Sequence, residues 1–225
     1  MAGTFAYITN ENSENVSVID VSTNAVVTNI HIGAGNANPN GVAVSPDGTK
    51  VYVTNGSENS VSVIGTATNT VIANIPVGSY STGVAVSPDG AKVYVANSDS
   101  DTVSVLNAQT NTFLLDIHGF NKPQGLAVSP DGVKVYVANQ GDGGIHSSNS
   151  FSVINVADNS VATYPLSDPS HPNTRPYGVA VSPNGNKVYF TDNATAELSV
   201  VNSGSFVVEA TITVGQNPTG VSVSP

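Results

Sequence analysis

Two cations stand apart because they break the pattern of the chain. Of its six basic residues, Lys50, Lys92, Lys134 and Lys187 recur at one position of a repeat, and Lys122 and Arg175 do not. Arg175 can grip a carboxylate through two parallel N–H bonds, and Lys122 can add a second point charge. His118 and His171 each precede one of these cations by four residues, and His146 lies between them. An imidazole titrating near ~6.5 can donate or accept at neutral pH. Phe120 and Tyr177 offer flat apolar faces suited to a sugar ring or a methylene chain. His118, Phe120, Lys122, His146, His171, Arg175 and Tyr177 therefore form the candidate binding set, directed at a small anionic or polyhydroxyl ligand.

Other chemistry is scarce. The 225 residues include no cysteine, which removes disulfides, thiolate metal sites and a cysteine nucleophile. Four histidines, the fourth being His31, are too scattered for ligand spacing, so no metal and no cofactor is expected. The segment Asn97–Asp101 alternates oxygen-bearing side chains but lacks a closing Glu, and reads as a solvated loop. No nucleophile elbow, zinc-protease motif or phosphate loop occurs. A net charge of −10 opposes nucleic acid and anionic membranes. No apolar run reaches the ~18 residues needed to cross a bilayer. Met1-Ala2-Gly3-Thr4 carries neither a basic segment nor an apolar stretch, so no leader is expected at this end.

What must position the candidate residues is a repeat. Ser-Pro-Asp-Gly begins at Ser45, Ser87 and Ser129 and returns as Ser-Pro-Asn-Gly at Ser182, at intervals of 42, 42 and 53 residues. A tyrosine recurs at Tyr7, Tyr52, Tyr94, Tyr136 and Tyr189. Each unit reads as four short strands, A (GVAVS), B (KVYVTN), C (SVSVI) and D (TVIANI), since Val and Tyr favour a pleated strand and Pro-Asp-Gly a tight turn. Such a sheet cannot bury both faces alone. Units of this length stack radially into a β-propeller.

The expected fold is all-β, a single five-bladed propeller over 1–225, with units at about 5–45, 46–87, 88–129, 130–182 and 183–225. The chain starts in a B strand and stops after an A strand. Gly220–Ser224 is therefore expected to pair with Phe5–Thr9 and close the ring.

Tyr52-Val53-Thr54-Asn55, its variants at Tyr7, Tyr94 and Tyr136, and the VSPDG and VSVI segments resemble the YVTN-repeat β-propellers. The opening TFAYITN…VSVIDVSTN is most similar to the propeller domain of archaeal surface-layer proteins. Those propellers have seven blades, and this chain has five units. The resemblance implies an extracellular or cell-surface setting, with surface proteins or glycans as partners.

Residues common to all copies read as structure: the tyrosines pack between sheets, and Asn10, Asn55, Asn97, Asn139 and Asp192 bond local backbone. Asp47, Asp89 and Asp131 brace the A–B turn, and the repeat lysines solvate its end of the ring. The fourth unit breaks the pattern with six extra residues in its B–C loop (139–150) and five in its D–A loop (167–177). In an up-and-down blade both loops emerge at one end, and the candidate set gathers there. Strand A, the innermost, carries no carboxylate in any copy, which disfavours glycosidase chemistry. The reading is a non-catalytic, extracellular structural or interaction module of a cell-surface protein, monomeric as an isolated domain. The alternative is a propeller enzyme of lyase or lactonase type, with His146 or His171 as base at the channel mouth.

Overall fold

The computed structural model describes residues 4–142, 150–166 and 174–224. They form an all-β propeller of five antiparallel blades. The first blade is β1 (Phe5–Asn10), β2 (Asn15–Asp20) and β3 (Ala25–His31); the second is β4 (Pro39–Val44), β5 (Lys50–Asn55), β6 (Ser60–Gly65) and β7 (Thr70–Pro76). The third comprises β8 (Ser81–Val86), β9 (Lys92–Asn97), β10 (Thr102–Asn107) and β11 (Thr112–His118). The fourth is β12 (Pro123–Val128), β13 (Lys134–Asn139), β14 (Ser150–Asn155) and β15 (Val161–Pro165). The fifth is β16 (Pro176–Val181), β17 (Lys187–Asp192), β18 (Glu197–Asn202) and β19 (Val208–Thr213). Strands follow sequence order within each blade, and β4, β8, β12 and β16 lie side by side as innermost strands.

The core lies between blades. Four apolar layers fill the four gaps, and each holds the B-strand tyrosine of the preceding blade: Tyr7, Tyr52, Tyr94 or Tyr136. Tyr189 of the fifth blade belongs to none of these four layers and is only half-buried. Burial raises the pKa of all four packed phenols, to about 12 for Tyr94.

Close approach of the inner strands explains the glycine that opens each of them. A Cβ at Gly41, Gly83, Gly125 or Gly178 would collide with the carbonyl oxygen of Thr82, Gln124, Tyr177 or Thr219, one blade on. Thr219 thus occupies the next inner-strand position. The ladder expected between Gly220–Ser224 and Phe5–Thr9 is not among those formed: β1 pairs with β2 alone, and 220–224 carry no strand. A Cβ at Gly220 would meet nothing within 4 Å. The two ends instead face each other across a hollow of about 320 Å³.

The turns behave as their residues dictate. Ser45, Ser87 and Ser129 donate to Asp47, Asp89 and Asp131, whose N–H partners lie two residues further on. The lysines do more than solvate. Lys50 Nζ donates to the Ala108 carbonyl at 2.6 Å and to Asn111 Oδ1 at 2.9 Å, and Lys134 Nζ to the Ser203 carbonyl at 3.1 Å. The four-carbon stem of lysine spans the gap to the next blade, so each of these side chains ties the start of its own B strand to the C–D turn of that blade.

Candidate functional site

Before each inner strand the chain repeats one short segment: Asn38-Pro39-Asn40-Gly41, Tyr80-Ser81-Thr82-Gly83, Lys122-Pro123-Gln124-Gly125, Arg175-Pro176-Tyr177-Gly178 and Asn217-Pro218-Thr219-Gly220. The carbonyls of Asn38, Tyr80, Lys122 and Arg175 accept from Gly56, Ser98, Gln140 and Asn193, at 3.0–3.2 Å, which pins the B–C loop of the same blade. Asn38, Tyr80, Lys122 and Asn217 have left-handed backbone, with φ of 51, 53, 46 and 53°. The N–H of Tyr80 donates to Asn59 Oδ1 and that of Lys122 to Asp101 Oδ1, both in the preceding blade. Arg175 departs from this: its N–H turns to Asp192 Oδ1 of its own blade, at 2.9 Å.

Lys122 and Arg175 therefore share a repeated position of their own, on the rim where the B–C and D–A loops begin. From the sequence alone the two cations read as off-register. The Pro two residues before the strand glycine, present in four of the five copies, was the available signal.

The other candidates disperse. Phe120, only 8% exposed, packs in the layer between the third and fourth blades and offers no stacking surface. An apolar side chain between two sheets is buried by them, whatever the loop around it looks like. His118 ends β11 and lines a perimeter hollow of about 470 Å³ with Asp116, not the mouth. Lys122 Nζ lies 3.9 Å from Asp99 Oδ1, so its charge is partly offset. Tyr177 lines the hollow between the chain ends with Glu11 and Asn40. Arg175 is exposed. His146 and His171 lie outside the described residues.

Inward of the rim, neutral groups bind blade to blade. Thr54 Oγ1 donates to the Thr82 carbonyl at 2.6 Å and Thr82 Oγ1 to the Gln124 carbonyl at 3.1 Å. The Asn at the end of strand B bonds side chains, not backbone as expected. Asn97 Nδ2 donates to Thr102 and Ser104, and Ser104 in turn to Asp116 Oδ1 at 2.6 Å. Pairing places these side chains on one face of three adjacent strands, and Asn55 with Ser62 and Asn74 repeats the relay. Among the described residues no three His, Cys, Asp or Glu side chains gather in a metal-binding group.

Residues 1–119, just over half the chain, match the family described as "Lactonase, 7-bladed beta-propeller", and the chain belongs to that family. No curated protein matches. Among solved structures, virginiamycin B lyase from Staphylococcus aureus is similar at a TM-score of 0.80 and 13% identity, over 98% of this chain and 71% of that one. A streptogramin B lyase is similar at 0.79 and 14%, over 96% and 68%. Hydrazine synthase from Kuenenia stuttgartiensis is similar at 0.64 and 20%, over 96% and 85%. At these identities the likeness is one of fold. The family's ring has seven blades and this chain has five.

Proposed function

We propose that this chain is a non-catalytic interaction module of a cell-surface protein that binds a polyhydroxyl ligand, a glycan, along its loop-face rim. One observation carries the reading. At a position whose carbonyl makes the same bond in four successive blades, the side chain changes each time: Asn38, Tyr80, Lys122, Arg175. A repeated frame with a varied side chain separates folding from recognition, as in other rigid scaffolds that bind through their loops.

Tyr80 and Tyr177 provide flat faces for a sugar, and Arg175 and Lys122 provide donors to hydroxyls or an acidic sugar. Asp99 beside Lys122 favours a polyhydroxyl ligand over a compact anion. The net charge of −10 turns nucleic acid and anionic membranes away. The Ser-, Thr- and Asn-rich acidic surface suits an extracellular setting, and the YVTN-type repeats support a surface-layer-like context. The test is a glycan array probed with the wild type and with a Lys122→Ala/Arg175→Ala double variant. Glycan binding lost in the variant supports the module. No binding by the wild type, or equal binding by both, overturns it.

A second reading is a lactonase- or lyase-type enzyme, favoured by the family match and by the Glu11 carboxylate beside Tyr177 in the hollow at the mouth. Lactone hydrolysis by the wild type that Glu11→Gln abolishes would replace the first reading with this one.

A further inference from the structure

The C–D turn of the fifth blade departs from the other four at one residue. Asn24, Asn69, Asn111 and Asn159 hold that position in the first four blades, with φ of 54, 52, 55 and 59°, and Phe206 holds it in the fifth, at 59°. The turn itself is unchanged. The Phe206 N–H donates to the Asn202 carbonyl at 2.8 Å, as that of Asn69 does to Gly65 and that of Asn159 to Asn155. Asparagine tolerates left-handed backbone, whereas a bulky aromatic residue there is strained. Such strain accompanies sites where the side chain serves something besides the turn.

The exchange also alters the lysine that reaches this turn from the preceding blade. The Lys50 ammonium is held by the Ala108 carbonyl at 2.6 Å and by Asn111 Oδ1, the turn asparagine, at 2.9 Å. Lys134 repeats the first bond, to the Ser203 carbonyl at 3.1 Å, but meets the Phe206 ring, 4.7 Å from its centroid, in place of the second. An ammonium has three donors, and here one oxygen takes one of them. Among the described residues Lys134 makes no ion pair. Asp131, the carboxylate of its own A–B turn, accepts from the Ser129 hydroxyl and the Val133 N–H.

Lys134 and Phe206 wall a cavity of about 390 Å³ with Val133, Val153, Val161 and Tyr164. Small-molecule sites run from about 300 to 1,000 Å³. The other polar side chains among the described lining residues bond within their own turn. Asn155 Oδ1 accepts from the Ala157 N–H at 3.1 Å, and Ser160 Oγ donates to Asp158 Oδ1 at 2.7 Å. The cavity thus joins apolar and aromatic walls to an ammonium with donors to spare.

We propose that this cavity binds a small aromatic carboxylate, its ring against Phe206 and Tyr164 and its carboxylate accepting from the Lys134 ammonium. Such a bond is charge-assisted, and apolar walls strengthen it by excluding water. Aromatic pairs add offset or edge-to-face contacts. A net charge of −10 repels an anion from most of the surface, which leaves this ammonium as a local exception. The proposal is independent of the rim.

3-Phenylpropionate and its charge-reversed counterpart phenethylamine, titrated by NMR against the whole chain, test it. The expected result is saturable binding of 3-phenylpropionate below about 10 mM and none of phenethylamine. Lys134→Gln keeps a donor for the Ser203 carbonyl but removes the charge, and should weaken binding about tenfold. Phe206→Asn removes the wall and supplies the acceptor that holds Lys50, and should weaken binding about as much, with Tm within a few degrees of wild type. Lys187→Gln, the same repeat position outside the cavity, should leave binding unchanged. No binding by the wild type, equal binding of both probes, or loss of binding in Lys187→Gln would overturn the proposal. Unchanged binding by Lys134→Gln or by Phe206→Asn would overturn it as well.

Discussion

The Lys50 ammonium donates to the Ala108 carbonyl at 2.6 Å, a bond between successive blades across 58 residues of sequence. It sits where a repeated lysine reads as surface charge, yet it joins two sheets. Lys50→Met should cost about 1–2 kcal/mol, since it removes a charge-assisted bond to a partly buried carbonyl. Among the described residues Lys187 has only an exposed pair with Glu209 at 3.7 Å, and Lys187→Met should cost less than ~0.5 kcal/mol. Equal losses in urea denaturation would contradict the inter-blade role.

The packed tyrosines divide by their hydroxyls. Tyr52 Oη donates to the Ala108 carbonyl at 3.2 Å, whereas the buried Tyr94 hydroxyl has no partner. Tyr52→Phe should cost about 1 kcal/mol and Tyr94→Phe close to nothing, because a bond is lost in one case and a desolvated orphan in the other. Thermal melts of the two variants give the comparison directly.

Stability should fall at both ends of the pH scale. The hydroxyls of Ser45, Ser87 and Ser129, first among the causes, hold Asp47, Asp89 and Asp131 below the ordinary carboxyl value of 3.8. A depressed carboxyl stabilises the fold above its unfolded value, and that gain is lost as pH falls from about 3.8 through the folded value. Tyr94 is raised by burial from 10.0 to about 12, so its contribution is present below pH 10 and lost as pH climbs through that window. Tyr94→Phe should move the alkaline midpoint upward in a circular-dichroism titration. An unmoved midpoint would assign alkaline unfolding to other groups.

Glycine substitutions report on the two ends of the described chain. Gly83→Ala drives a Cβ into the Gln124 carbonyl and should cost more than about 2 kcal/mol, because backbone on both sides must move. Gly220→Ala meets open space and should shift stability by less than ~0.5 kcal/mol. Comparable losses for both would mean that the last inner strand closes on the first blade, which the ladders of this structure do not show.

By itself the sequence determined the all-β repeat, its five units, the turn chemistry and the burial of four of the five repeat tyrosines. Each depends on contacts local in sequence or repeated once per blade. Ser-Pro-Asp-Gly can only turn, and Val-Tyr-Val alternation on a sheet with neighbours on both faces must be buried. Tertiary structure decided whatever depends on a second blade. It buried Phe120, sent His118 to the perimeter, placed Lys122 and Arg175 at one rim position and set Lys50 against a carbonyl 58 residues away. It also left β1 without the inner strand that the ends of the chain suggest. The rotation from blade to blade comes from side-chain packing summed over whole interfaces, and no short motif encodes it. Phe206 shows the same division: its place in the turn is readable from the spacing, but the cavity it walls with Lys134 exists only once the fourth and fifth blades meet.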